Sequence, residues 1–189
     1  HLPDRPYHIC LGYTTRQGQV CLDLAEKHRA ILVGGASGSG KTNFMQSVII
    51  QLAARHTPSE VRFAIVDTKE VDFGQDYDRL PHLFAPIAHD LADCTALIEQ
   101  VENERLRRQA LMARANVAHW RDYNVDGDTL PLLVLVVDEA ADFARSPAME
   151  TLINIARKGR AFGISLVVAT QHPSSRVISP QVRANLPTT

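Results

Sequence analysis

Several common sequence signatures are scarce in this chain. It has three cysteines, Cys10, Cys21 and Cys94, without a C-x-x-C pair. Disulfide frameworks and structural zinc sites usually need such pairs, so we expect neither, and we expect a reducing compartment. The longest apolar run, Leu130 to Val137, is far shorter than the roughly 20 residues of a transmembrane helix. The N-terminus has no signal-peptide pattern, and these absences together favour a soluble segment.

The sequence also has little net charge. Its formal net charge is -1, so no overall field attracts a polyanion, and any nucleic-acid contact must be local. Hydrophobic residues make up 45% of the chain and charged residues 22%, which excludes a disordered or fibrous protein. Its 189 residues suffice for one α/β domain with a hydrophobic core and are too few for two such domains of ordinary size.

Hydrophobic periodicity predicts strands that alternate with helices. Two weak extended stretches, around Gly12 and Gly18, come first. The predicted strands are then 30–33, 61–66, 132–137 and 164–170, and the predicted helices are 43–55, 91–117 and 149–158. We expect the Glu/Arg-rich face of the second helix to be solvated. Continuous apolar strands between helices predict an α/β fold, with a mostly parallel sheet covered by helices on both faces.

A glycine-rich turn separates the first of these strands from the first helix. It matches the pattern G-x-x-x-x-G-K-[ST] in the strand–turn–helix context that this pattern requires. Small residues let backbone N–H groups approach phosphates, and the helix directs its positive end at them. We therefore predict an ATP-binding P-loop (Walker A) in which Lys41 reaches the β- and γ-phosphates and the Thr42 hydroxyl ligates Mg²⁺. The residues of this loop are Gly35, Ala36, Ser37, Gly38, Ser39, Gly40, Lys41 and Thr42.

Two carboxylates follow the buried strand at 132–137. Asp138 and Glu139 stand at its carboxyl end, where a parallel α/β sheet places its ligands. This is a Walker B pattern, in which we expect Asp138 to hold Mg²⁺ and Glu139 to act as general base on the attacking water. The chain between Lys41 and Asp138 leaves room for one intervening strand. An extra strand and a catalytic glutamate indicate the motor-type division of P-loop ATPases and disfavour kinases and GTPases.

Polar residues also flank the last predicted strand. Gln171 lies at its tip, where an amide can touch both the γ-phosphate and the water, so it is a sensor candidate. Arg160 lies before the strand, in the run Arg157-Lys158-Gly159-Arg160, and is badly placed to reach its own ATP. It can instead reach the ATP of a neighbouring subunit and stabilise the charge that develops during transfer. A basic helix terminus without catalytic function is the alternative interpretation.

Beyond these motifs, several segments resemble the FtsK/SpoIIIE family of DNA translocases. The segments are similar to the family's D-P-K, I-P-H-L, V-D-E-F-A-D and A-T-Q-R-P-S motifs. In chain order they are Asp67-Thr68-Lys69, Leu80-Pro81-His82-Leu83, Val137-Asp138-Glu139-Ala140-Ala141-Asp142 and Ala169-Thr170-Gln171-His172-Pro173-Ser174. The resemblance implies a RecA-like P-loop ATPase core of the additional-strand catalytic-glutamate type. Residues 30–189 then form the ATPase domain, and residues 1–29 form a short extended region packed on it.

The resemblance also implies a partner and an assembly, namely a homo-hexameric ring that threads double-stranded DNA through its pore. ATP would lie between subunits, with Arg160 acting in trans. His172, Arg176 and Arg183 are the candidates for DNA contacts, although His172 replaces a basic residue of the family and is mostly uncharged at neutral pH. The family's last motor strands, winged-helix module and membrane anchor have no counterpart in this sequence. We expect a cytoplasmic location, with any tether to the inner face of the membrane supplied by other segments.

Other functions remain open at this stage. We favour DNA translocation, for chromosome segregation or conjugative transfer. The ATPases of type VII protein secretion systems are similar to this family, although their Walker B surroundings usually differ from D-E-x-A-D. A module that binds nucleotide without turnover is a third possibility, and the intact Lys41, Asp138 and Glu139 disfavour it.

Overall fold

The computed structural model describes residues 6–16, 18–70 and 73–171. Its strands are β1 His8–Thr14, β2 Gly18–Asp23, β3 Ala30–Gly34, β4 Val61–Val66, β5 Asn124–Val125, β6 Asp128–Thr129, β7 Leu132–Val137 and β8 Ile164–Thr170. Its α-helices are α1 Lys41–Ala53, α2 Gln75–Asp78, α3 Leu91–Arg114 and α4 Pro147–Lys158. Short 3₁₀ turns cover Trp120–Asp122, Ala140–Phe143 and Gly159–Phe162.

Local sequence signals explain where the long helices begin and end. Asp90 caps the start of α3, because its carboxylate accepts the N–H of Asp93 at 2.8 Å. The predicted end of α3, at Val117, was wrong by three residues, because Asn116 adopts a left-handed conformation that stops the helix at Arg114. Helix α4 begins at Pro147, a residue that the first helical turn accommodates because no N–H is needed there.

Four parallel strands form the central sheet, in the order β3-β8-β7-β4. Strand β8 therefore separates the strand that leads into the P-loop from the strand that leads into Asp138. β4, which lies between β3 and β7 in sequence, is at the edge. The predicted parallel α/β sheet with an additional strand is confirmed, and its carboxyl edge brings together the ends of β3, β4, β7 and β8.

Both faces of this sheet are buried. Along β7, Leu132, Val134 and Val136 pack on the side of α1 and the N-terminal hairpin. The alternate residues, Leu133, Leu135 and Val137, pack on the side of α3 and α4. All six are fully buried, which accounts for the continuous apolar run in the sequence.

Strands β1 and β2 form an antiparallel hairpin that packs on α1. Ile9 and Leu22 bury their side chains in the core on that face. The backbone N–H of Cys10 donates to Gln51 Oε1 at 2.8 Å, and Gln51 Nε2 donates back to the Cys10 carbonyl at 3.1 Å. These contacts attach the N-terminal hairpin to the helix that follows the P-loop.

The expectation of a solvated Glu/Arg face on α3 was wrong in part. Arg108 is 2% exposed and Arg105 is 3% exposed. Arg108 Nη1 donates to the carbonyl oxygens of Pro131 and Phe162, each at 2.8 Å, and its Nε donates to Glu104 at 2.8 Å. A periodicity argument places arginine outside, because periodicity does not show that loops distant in sequence supply carbonyl acceptors.

Candidate nucleotide site

The P-loop, residues 35–42, curves from the end of β3 into the start of α1. Gly38 and Gly40 have φ values of 75° and 90°, a left-handed conformation that glycine adopts without steric cost. The Gly35 N–H donates to the Thr170 carbonyl at 3.3 Å, which joins the loop to the end of β8. Within the described residues, no side chain caps the N-terminus of α1. The first N–H groups of this helix therefore remain available for an anion.

Lys41 is the first residue of α1, and its ammonium turns back into the loop. Its Nζ donates to the carbonyl oxygens of Gly35 and Ala36, at 2.7 and 2.8 Å. The residue is 7% exposed, so its charge is held inside the curve of the loop. A fixed ammonium beside oriented backbone N–H groups makes this curve a strong anion site.

A cavity of about 380 Å³ opens over the loop. It is lined by Ser37, Gly38, Gly40, Lys41, Thr42, Asn43, Lys69 and Gln171. Three separate parts of the chain thus contribute to it, namely the P-loop, the turn after β4 and the tip of β8. The structure brings the P-loop and Gln171 to one cavity, because the carboxyl ends of parallel strands share one edge of the sheet.

Asp138 follows β7 and is fully buried. Lys69 Nζ lies 2.5 Å from Asp138 Oδ2. Lys69 also lines the cavity, which therefore has two ammonium groups and not one. We had assigned no role to Lys69 from the sequence. The position of Lys69 just after β4 is the feature of the sequence that could have indicated this contact. Val66, at the end of β4, pairs with Val137, at the end of β7, so the residues that follow the two strands lie close together.

The turn that carries Lys69 is shaped by a buried carboxylate. Asp67 Oδ2 accepts the N–H of Phe73 at 3.0 Å, and Oδ1 accepts the N–H of Lys69 at 3.3 Å. The Thr68 hydroxyl donates to Asp142 at 2.5 Å, which ties this turn to the 3₁₀ turn after Glu139. Thr68 stands where the resembled family has proline, and its hydroxyl provides a different restraint on the turn.

Glu139 and Gln171 are joined directly. Glu139 Oε2 accepts the backbone N–H of Gln171 at 3.0 Å, and Oε1 accepts the N–H of Ala141 at 3.2 Å. The Glu139 residue is 6% exposed. A carboxylate held by two N–H donors has a defined direction, as a general base requires. The contact uses the Gln171 backbone, which leaves the side-chain amide for the cavity that it lines.

The oxygen ligands at this site fit a magnesium ion. Mg²⁺ in nucleotide sites takes one or two protein oxygens and completes its shell with phosphate oxygens and water. Thr42 lines the cavity, and the Asp138 carboxylate already pairs with a cation, the Lys69 ammonium. A hydroxyl and a carboxylate are the hard ligands that this ion prefers.

Arg160 is not brought to this cavity. It lies in the 3₁₀ turn before β8, whereas Gln171 follows β8. Seven strand residues separate the two ends, which corresponds to roughly 20 Å. The Arg160 side chain is 55% exposed. His172, Arg176 and Arg183, the candidates for DNA contacts, lie outside the described residues.

Comparison with known proteins identifies the family. The sequence profile of the FtsK/SpoIIIE family matches residues 2–132. The chain belongs to the FtsK/SpoIIIE family. It is 35% identical to the DNA translocase SftA of Bacillus subtilis over 97% of this chain and 20% of the relative. It is 34% identical to the DNA translocase SpoIIIE of the same organism, over 98% of this chain and 25% of the relative.

Solved structures share the fold of this chain. The conjugation coupling protein TcpA of pCW3, in a monomer form with ATPγS, matches with a TM-score of 0.84 at 24% identity, over 98% of this chain and 54% of that one. The type VII secretion ATPase EccC of Thermomonospora curvata matches with a TM-score of 0.81 at 25% identity, over 97% and 23%. The chain thus carries the P-loop ATPase core of the FtsK/SpoIIIE family, and it spans about a quarter of its curated relatives or less.

In the part of the chain that the structure describes, no helix combines the length and the apolar character needed to cross a bilayer.

Proposed function

We propose that this chain is the motor core of a double-stranded DNA translocase, which hydrolyses Mg-ATP at the interfaces of a homo-hexameric ring. The observation that carries the ATPase proposal is the convergence of Lys41 and Lys69 with the Asp138 and Glu139 carboxylates at one edge of the sheet. The DNA substrate is supported by relatives at 34–35% identity that are DNA translocases. Chromosome segregation and conjugative transfer are the two processes that fit this substrate.

The positions of the side chains assign a role to each. ATP binding exchanges the two Lys41–carbonyl hydrogen bonds for bonds to β- and γ-phosphate oxygens, while loop N–H groups hold the phosphate chain. Glu139 accepts a proton from the attacking water. The Gln171 amide, at the tip of β8, contacts the γ-phosphate and the same water.

Thr42 and Asp138 are the residues that would hold Mg²⁺. When bound, the ion neutralises charge on the β- and γ-phosphates and orients them for in-line attack. Lys69, which contacts Asp138, is close enough to add a second positive charge at the same edge.

Hydrolysis in this arrangement depends on assembly. Arg160 is exposed and lies at the opposite end of β8 from the cavity, so its guanidinium serves the ATP of a neighbouring subunit. A trans-acting arginine stabilises the charge of the transferring phosphoryl group and raises kcat by about 10³–10⁵. We place the motor in the cytoplasm, with any membrane tether outside this chain. His172, Arg176 and Arg183 remain the proposed DNA contacts of the pore.

Single substitutions separate binding from chemistry. Lys41→Ala should abolish ATP binding, measured by fluorescence of a labelled ATP analogue. Glu139→Gln should bind ATP with unchanged affinity and lose steady-state turnover, because the amide cannot accept the proton. Wild-type turnover in Glu139→Gln would refute the assignment of the base.

Displacement of a third strand from a linear triplex tests DNA translocation directly. The full-length protein with ATP should displace the third strand, and Glu139→Gln should not. An active ATPase that never displaces the strand, but whose turnover rises with a secretion-signal peptide, would instead indicate protein translocation. The structural similarity to EccC makes that peptide the appropriate competitor.

A further inference from the structure

Glu26, on the turn after β2, gathers three basic side chains around one carboxylate. Its Oε1 lies 3.1 Å from His119 Nε2 and 3.6 Å from Arg121 Nη1. Its Oε2 accepts a hydrogen bond of 3.0 Å from Arg160 Nε. One carboxylate oxygen therefore faces two basic groups, and the other faces the Arg160 guanidinium.

The Arg160 guanidinium is held through its Nε atom. Within residues 6–16, 18–70 and 73–171, Nε is the one guanidinium nitrogen of Arg160 that has a hydrogen-bond partner. The two terminal nitrogens carry four of the five N–H bonds and form the end of the fork that grips phosphate. The contact with Glu26 therefore restricts the guanidinium plane, while none of the described residues engages its phosphate-binding end, on a side chain that is 55% exposed.

The turn that carries Glu26 is itself anchored. The Glu26 N–H donates to Asp23 Oδ1 at 3.1 Å, and the Arg29 carbonyl accepts the N–H of Leu166 at 2.7 Å. Leu166 belongs to β8, the strand that follows the turn bearing Arg160. Both partners of the Glu26–Arg160 pair are therefore attached to the same strand, so their relative placement is defined.

We propose that Glu26 is the positioning residue for Arg160. By binding Nε, it presents the terminal amino groups of Arg160 to the γ-phosphate of ATP bound to the neighbouring subunit. A free arginine side chain loses rotamer entropy on docking, and the Glu26 contact reduces that loss before subunits meet. The inference rests on the proposed function, in which Arg160 acts across the interface.

The first test is the steady-state ATPase of assembled full-length protein. Glu26→Ala should lower kcat between about tenfold and a hundredfold, the size expected for a misplaced catalytic group, with KM for ATP unchanged. Glu26→Gln should lie nearer to wild type, because its amide oxygen can still accept from Nε. Glu99→Gln, an exposed change on α3, should have no effect. In an Arg160→Ala background, Glu26→Ala should add no further loss.

Any of three results overturns the positioning role. An unchanged kcat in Glu26→Ala would show that Arg160 needs no support, and a raised kcat would show that Glu26 holds Arg160 away from the site. A further loss in the Arg160→Ala background would assign Glu26 to stability or assembly.

Mixed rings separate this inference from the proposed function. Arg160→Ala subunits have an intact ATP site without a donated arginine, and Glu139→Gln subunits donate an arginine without hydrolysing. Rings of the two should regain turnover, and failure to do so would refute the trans role and the inference together. We expect the regained turnover to be about tenfold to a hundredfold lower with Glu139→Gln/Glu26→Ala donors and unchanged with Glu139→Gln/Glu99→Gln donors. Equal rescue by both donors would refute the role of Glu26 alone.

Discussion

Replacing Arg108 with methionine should lower the free energy of unfolding more than replacing any surface arginine does. Methionine keeps most of the side-chain volume and removes the buried guanidinium. The carbonyls of Pro131 and Phe162, each 2.8 Å from Nη1, then lose a charged donor. A buried carbonyl without its partner costs about 1–3 kcal/mol, and breaking a buried ion pair costs about 3–5 kcal/mol. Glu104 keeps its bonds to Arg107, so we expect a loss near the lower end, about 3–4 kcal/mol.

Urea unfolding followed by circular dichroism and by Trp120 fluorescence measures this loss, and thermal unfolding followed by circular dichroism measures the corresponding change in Tm. At about 2–4 °C per kcal/mol for a chain of this size, Tm should fall by roughly 6–16 °C. Arg107→Met is the matched control, since it removes the other partner of Glu104 at a position that is 57% exposed. An exposed pair contributes at most about 1 kcal/mol. Equal unfolding midpoints for the two variants would refute this account of α3.

The same cluster gives a pH dependence. Burial alone raises the pKa of Glu104, but hydrogen bonds from Arg107 and Arg108 outweigh burial and lower the pKa below its ordinary value. A carboxyl with a lowered pKa stabilises the fold above its unfolded pKa of about 4.3, and this stabilisation is lost as the pH falls through the lowered value. Arg108→Met should therefore lose less stability than wild type on acidification.

Two further changes test the turn after α4 and the cavity. Gly163→Ala should lower the free energy of unfolding in urea by about 1–3 kcal/mol more than Gly127→Ala does. Both glycines have positive φ, but a Cβ at Gly163 would lie 2.6 Å from the Trp120 ring, whereas no atom lies within 4 Å of a Cβ at Gly127. Equal losses in the two variants would contradict the contact with Trp120. Lys69→Met should raise KM for ATP about tenfold or more, since a charge-assisted hydrogen bond contributes about 1.5–3 kcal/mol. An unchanged KM would confine Lys69 to its contact with Asp138.

The hydrophobic pattern of the sequence predicts the strands and helices well, but it predicts their arrangement in the sheet less well. Strands β4, β7 and β8 begin and end as predicted, because fully buried parallel strands are continuous apolar runs. Periodicity carries no information about which strands pair, so the position of β8 between β3 and β7 was not predicted. The meeting of Glu139 with Gln171 was predictable once the strands were parallel, since their carboxyl ends share one edge.

The unpredicted roles of Lys69, Arg108 and Glu26 depend on contacts between residues distant in sequence. Lys69 meets Asp138 across 69 positions, Arg108 reaches carbonyls near β7 and β8, and Glu26 meets Arg160 across 134 positions. In each case a charged side chain that appears ordinary in the sequence acquires a role from its partner. The sequence shows that these residues are charged, but only the folded structure shows which residues they contact.

The most direct test of the motor proposal is the rate of ATP hydrolysis by the full-length assembled protein at low salt, with and without linear double-stranded DNA. We predict strong stimulation by DNA that declines steeply as salt is raised, because phosphate contacts release counterions. Hydrolysis by a confirmed hexamer that is indifferent to DNA at every salt concentration would contradict the proposal.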